Sequence, residues 1–310
     1  MAEIIQKDGT WTFDGDTVRI VPGRDKGTHL ARQALGELAV PLRAVAGIAY
    51  EPGRKSGRLR LRLREGADPL MLATRGKLPD AADPYRLSVE PDRTGVAEYF
   101  VDEVRNALLL DQVPTGPCDR FLLPGPSVPL TASAGDGTIS FDGDRIRLEW
   151  NWKTEEPKKL AGSRTFTVAD VEAVEWLPAM GLENGYLRFT VAKASTKAPP
   201  KYDPHAVELY GFRKDPLMAL VAAAVIARMP HPSAPAPATP AAVPAAPAEP
   251  VTPAVAGGAP AIGDAPGGAA GADDHDTLLR RLRELGELWQ GGVLTEEEFT
   301  AAKQAILRRF

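Results

Sequence analysis

At 310 residues, with 25% charged and 44% hydrophobic side chains, the chain has the balance of a soluble globular protein with room for two ordinary domains. Its net charge of −4 is confined to residues 231–310, which hold 6 basic and 10 acidic residues, whereas residues 1–113 carry 17 of each sign and residues 130–230 carry 13 of each. Neither balanced segment has the basic excess through which phosphate neutralisation drives nucleic-acid binding, so nucleic acid is not an expected partner.

The N-terminus, Met1-Ala-Glu-Ile-Ile, lacks the basic start and apolar run of a secretion signal. Cys118 is the single cysteine, which excludes an intrachain disulfide and fits a cytoplasmic location. The most apolar stretch, Leu217 to Met229, spans 13 residues and includes Arg228. A membrane-crossing helix needs about 20 apolar residues, so this segment is expected to be a buried helix.

The chain repeats itself. Asp8-Gly-Thr-Trp-Thr-Phe-Asp-Gly-Asp-Thr-Val-Arg-Ile20 returns as Asp136-Gly-Thr-Ile-Ser-Phe-Asp-Gly-Asp-Arg-Ile-Arg-Leu148, identical at 8 of 13 positions. Further along, Val45, Ile48 and Tyr50 match Val171, Val174 and Trp176, and Gly57-Arg-Leu-Arg-Leu matches Gly185-Tyr-Leu-Arg-Phe. Asp83-Pro84 with Leu87 and Val89 then matches Asp203-Pro204 with Val207 and Leu209.

Within each copy the local pattern is β. Asp14-Gly15 and Asp142-Gly143 sit between alternating segments, as hairpin turns do. A calcium loop would need further oxygen donors at fixed spacing, and none follow Asp16 or Asp144. Arg58-Leu-Arg-Leu-Arg-Leu-Arg64 alternates with period two, which predicts a strand with Leu59, Leu61 and Leu63 buried. Val96, Phe100, Val104 and Leu108 recur every four residues, as a helix burying one stripe would. This plan resembles the pleckstrin-homology-like (PH-like) fold. The tandem copies, with Phe-Asp-Gly-Asp near each start, resemble an uncharacterised high-GC bacterial family with two such domains. The resemblance implies a mainly β protein with helices, made of two antiparallel barrels over residues 1–113 and 130–230. Each barrel is closed by a C-terminal helix, and residues 114–129 connect them.

Residues 231–272 are dominated by Pro, Ala and Gly, too poor in apolar mass to offset the entropy of ordering, and a disordered linker is expected. Residues 273–310 predict a helical hairpin. Leu278, Leu282, Leu285, Leu288 and Trp289 form one stripe, and Phe299, Ile306, Leu307 and Phe310 form the other. Thr295-Glu-Glu-Glu298 opens the second helix as a capping box. With Gly292-Val-Leu-Thr-Glu-Glu-Glu-Phe299, this segment resembles the short C-terminal domain of bacteria known by the acronym SHOCT. Fewer than about 40 residues rarely make a self-sufficient core, so the two stripes are expected to form an association face for self-assembly or a protein partner.

Arg58, Arg60, Arg62 and Arg64, preceded by Arg54 and Lys55, form a basic strand that the second copy keeps only at Arg188. It reads either as a solvated face or as a patch for an anionic partner, including a lipid headgroup. Lys153, Lys158, Lys159 and Arg164, mixed with Glu155 and Glu156, read as a charged loop. Trp150 and Trp152 are expected on one strand face, in the core or at an inter-domain contact. His29, His205, His231 and His275 show neither metal spacing nor a nucleophile–base arrangement, and no cofactor motif is present. The expected role is that of a non-enzymatic adaptor; the alternatives are a peripheral membrane protein that binds anionic lipid headgroups through the basic strand, and an enzyme whose site is not visible in the sequence.

Overall fold

A computed structural model describes residues 1–234 apart from 193 and 195–197. Both copies fold by the same rule. In the first, β1 (Ala2–Gln6), β2 (Gly9–Phe13), β3 (Thr17–Pro22) and β4 (Leu38–Pro41) form an antiparallel meander, with α1 (Leu30–Leu35) between β3 and β4. A single 3-10 turn then bends the chain into a second sheet of β5 (Val45–Glu51), β6 (Gly57–Leu63) and β7 (Arg86–Val89). Between β6 and β7 lies α2 (Pro69–Thr74), and α3 (Thr94–Leu110) closes the copy.

The second copy repeats this as β8 (Leu130–Ala134), β9 (Gly137–Phe141), β10 (Arg145–Trp150), α4 (Glu156–Ala161) and β11 (Arg164–Thr167). A three-stranded sheet of β12 (Val171–Leu177), β13 (Gly185–Val191) and β14 (Ala206–Leu209) follows, and α5 (Pro216–Ile226) ends it.

The reasons are local. Asp14 Oδ1 accepts from the amides of Asp16 and Thr17 at 3.0 and 2.8 Å, and Asp142 Oδ1 accepts from those of Asp144 and Arg145 at 2.9 and 2.8 Å. Gly15 and Gly143 take φ of 112° and 118°, so both Asp-Gly pairs are turns, as expected. These amide bonds hold the Asp14 and Asp142 carboxyls below their ordinary range. On β6, Leu59 and Leu61 are buried and Arg58, Arg60 and Arg62 exposed, following the alternation. A register shift at Val45/Gly47 recurs at Val171/Ala173, a bulge kept by both copies.

Neither copy closes into a barrel; the described strands make four separate open sheets. β1 and β7 come together in the first copy, but side chains replace the backbone ladder there. Gln6 accepts from the Glu90 amide at 3.1 Å, and Asp8 from the Ser88 amide at 3.4 Å.

The connector is laid onto the first copy. Cys118 and Leu123 are buried in its core, and the Leu122 amide donates to Ala67 at 2.8 Å. His231 is docked too, its ring 4.6 Å from that of Phe121 and its Nε2 3.0 Å from the Gly66 carbonyl oxygen.

The two closing helices differ. On α3, Ala97, Phe100, Val101 and Val104 are buried, while Tyr99, Leu109 and Leu110 are exposed. On α5, every residue from Met218 to Val225 is buried. One side covers the second copy's sheets, and the other packs on α1 and α2 of the first copy. The predicted buried helix therefore lies between the copies. Trp152 stands just past the end of β10 and is 83% exposed, so it does not share a strand face with Trp150 as expected.

Candidate functional site: an arginine-lined cleft

The outer face of the β5–β6–β7 sheet borders a cleft of about 890 Å³. Its floor follows from strand register. Arg60 stands between Ala49 and Arg86, Arg62 opposite Gly47, and Arg58 between Glu51 and Ser88. Gly47, Ala49 and Ser88 are too small to fill the space beside long arginines, so the floor stays open. The side wall comes from Thr28, His29 and Arg32 at the start of α1, and from Arg105 of α3.

Six arginines line this cleft, against the acids Asp8, Glu51 and Asp80. Two arginines are engaged: Arg86 pairs with Asp80 at 2.6 Å and with Asp83 at 3.0 Å, and Arg105 donates through Nε and Nη2 to the Ile48 carbonyl. Arg32 is different. It is 5% exposed, and neither its Nε nor its Nη2 has a hydrogen-bond partner among the described residues. Burial pulls its guanidinium below the ordinary value, with Asp8 and Asp83 opposing at longer range. Beside it, the His29 imidazole is pushed below 6.5 by burial and then by Arg213 and Arg32. Its Nδ1 accepts from the Ala31 amide at 3.2 Å and caps α1.

Of the basic residues singled out in the sequence, Arg58, Arg60 and Arg62 share the cleft floor. Arg54 and Lys55 lie on the exposed β5–β6 connection and do not line it. Arg64 is committed elsewhere: its Nε and Nη1 donate to the Gly116 and Arg43 carbonyls, each at 2.9 Å, so it clasps the connector. The residues Leu278, Leu282, Leu285, Leu288, Trp289, Phe299, Ile306, Leu307 and Phe310 lie outside the described residues. Sequence reasoning missed Arg32, which sits in a six-residue helix too short to show a period.

The second copy fills the same place. Glu175 stands where the first has Ala49, Tyr186 where it has Arg58, and Glu208 where it has Ser88. What remains is a hollow of about 120 Å³, in which Arg188 is held by Asp203 at 2.7 Å. Lys158, expected on a solvated loop, is fully buried and 2.7 Å from the buried Asp136 carboxylate. Burial raises the Asp136 carboxyl, and Lys158 counters it. Lys158 also lies 5.1 Å from the Trp150 ring, and Trp150 donates to the Gly162 carbonyl at 2.7 Å.

Among the described residues no group of three or more His, Cys, Asp or Glu is placed to hold a metal ion, and no helix is long and apolar enough to cross a membrane. A family model described as Domain of unknown function (DUF4429) matches residues 11–105 and 139–226, one segment in each copy. No curated protein matches the chain.

Proposed function

We propose, for a chain that belongs to the DUF4429 family of domains of unknown function, a non-enzymatic adaptor role in which the first copy recognises an anionic ligand through its arginine cleft. The observation that carries this reading is the cleft itself, about 890 Å³ in volume and walled by more cationic than acidic side chains. A concave surface with a cationic excess concentrates counter-charged ligands. The four-plus-three strand order with a closing helix supports a PH-like kinship for each copy. That likeness adds nothing about function, since a fold hosts many activities.

In this reading the second copy is a scaffold that holds the first, in the cytoplasm, and residues 273–310 supply association through their apolar stripes. A tethered association segment would multiply weak contacts through effective concentration. Arg60→Glu combined with Arg62→Glu tests the cleft. The parent protein is expected to bind phosphocellulose at low salt and the double variant to elute earlier; identical elution would remove the anionic reading. Light scattering on the full chain and on a truncation ending at Ala234, which keeps His231 in place, tests assembly. A monomeric full chain would end the self-association part.

A further inference from the structure

We infer that Arg32 is the anchor of a phosphate subsite at the inner end of this cleft, in the place where the second copy seals itself with an internal ion pair. The inference rests on the anionic reading above and names the chemistry of the ligand.

The duplication supplies the comparison. α1 and α4 are both six residues long and end at Gly36 and Gly162. Counting back four residues from each glycine places Arg32 opposite Lys158. Asp8 likewise stands opposite Asp136, and each accepts from the amide of the matching residue on the last strand, Ser88 or Glu208. In the second copy the cation and the carboxylate meet, and both are buried. In the first copy the cation is also buried, but no ion pair joins it to Asp8.

The unmet atoms, both buried, identify the guest. Nε and Nη2 form one edge of the guanidinium, two parallel N–H donors that match two oxygens of a single anionic group. Arg105 shows the same edge in use on the Ile48 carbonyl. A buried cation with this edge unmet is costly, and a bound oxyanion relieves the cost. The volume beyond Arg32 is drug-sized, and Arg58, Arg60 and Arg62 extend along its floor. A single small anion would leave those floor cations unmet. A ligand carrying two or more phosphate groups meets both, with one group drawn to the Arg32 guanidinium in the wall and the other over the floor arginines. Such a group could belong to a soluble metabolite or to a lipid headgroup.

Calorimetric titration of the full chain with pyrophosphate, inorganic phosphate and citrate tests the assignment. Flotation with phosphatidylcholine vesicles, with and without a phosphoinositide, separates the two sources. Pyrophosphate is expected to bind more tightly than phosphate or citrate, and Arg32→Met to weaken it by about tenfold or more, the scale of a charge-assisted hydrogen bond. Arg32→Lys, which keeps the charge but loses the two-donor edge, should fall between parent and Arg32→Met. If Arg32→Lys and Arg32→Met bind like the parent while Arg60→Glu/Arg62→Glu does not, the subsite is wrong and the anionic cleft stands. If citrate matches pyrophosphate, phosphate is the wrong class. If neither pyrophosphate nor phosphoinositide vesicles bind, the inference fails, and retention on phosphocellulose decides whether the anionic reading fails with it. Arg32-dependent binding of vesicles but not of pyrophosphate assigns the subsite to a lipid headgroup; the reverse assigns it to a soluble ligand.

Discussion

Lys158 and Arg32 occupy matching places, yet replacing each by methionine should have unlike effects on stability, a clear loss for Lys158 and none for Arg32. Lys158→Met leaves the Asp136 carboxylate, 1% exposed, with its cationic partner gone. Removing one member of a buried pair costs about 3–5 kcal/mol. In a body of this size each kcal/mol is worth roughly 2–4 °C, so Tm should fall by about 10 °C. Arg32→Met removes a guanidinium whose Nε and Nη2 have no partner, while retaining most of the aliphatic stem. With no pair to break, and a desolvated charge relieved, Tm should stay level or rise by a few degrees, on the order of 1 kcal/mol. Asp136→Asn added to Lys158→Met should restore much of the loss, because the Asn oxygen can still accept from the Glu208 amide, now 2.8 Å from Asp136 Oδ1. Differential scanning calorimetry of the four proteins without ligand is the assay. An Arg32→Met loss as large as that of Lys158→Met would refute the reasoning, since it would mean that Arg32 already has a stabilising partner.

Leu70 of α2 is 2% exposed and packs with the second copy's core, so Leu70→Ala should cost about 2–5 kcal/mol. Because this site lies between the copies, the loss should appear in one shared unfolding transition; separate transitions for the two copies would contradict the shared core. Arg64→Ala should destabilise by about 1–3 kcal/mol through its contacts with the Gly116 and Arg43 carbonyls, whereas Arg58→Ala should stay within about 0.5 kcal/mol, both read by urea denaturation. The folded-state value of His29 lies below 6.5, so the unfolded chain binds more protons there and stability falls as pH drops through 6.5. The His29 ring protons should titrate below 6.5 by NMR, and a bound anion beside Arg32 should move that midpoint upward. A midpoint above 6.5 without ligand would contradict the placement of His29 beside Arg213 and Arg32.

The residues that announced themselves in the sequence were those with a period. The Arg-Leu alternation of β6, the Asp-Gly turns and the four-residue spacing of α3 each impose a geometry over several turns or strand residues, and each element formed, with Leu63, Val96 and Leu108 at the ends only partly buried. The three six-residue helices have fewer than two turns, too short for a stripe to emerge. For α2 a signal existed: Asp68 before Pro69 is an N-cap followed by a first-turn proline, and Asp68 accepts from the Leu70 and Met71 amides at 3.0 and 3.2 Å. Lys158 was misread because mixed charge usually means a solvated loop, and only the burial of Asp136 reverses that. Arg32 was findable by sliding the two copies until Gly36 met Gly162. The closed barrels failed for a subtler reason: period-two patterns fix which face of a strand is buried, not whether its edge pairs.

The asymmetry between the copies follows from where α5 lies. Its two buried sides join the second copy to α1 and α2 of the first; in the second copy Arg188 and Asp203 pair within the small hollow, and Lys158 and Asp136 pair in the place of Arg32 and Asp8. The first copy thereby gains a rigid support for α1, the element carrying His29 and Arg32. Arg213, just ahead of α5, reaches across to the carbonyls of Lys26 and Thr28 at 3.3 and 3.4 Å, so the cleft wall is fastened from the other copy. A recognition site needs its donors held before the ligand arrives, because ordering them on binding costs affinity. An isolated copy would have α1 packed on one side only. After duplication one copy can close its cleft and serve as the mount, which leaves the other free to keep an unmet cation in a fixed wall.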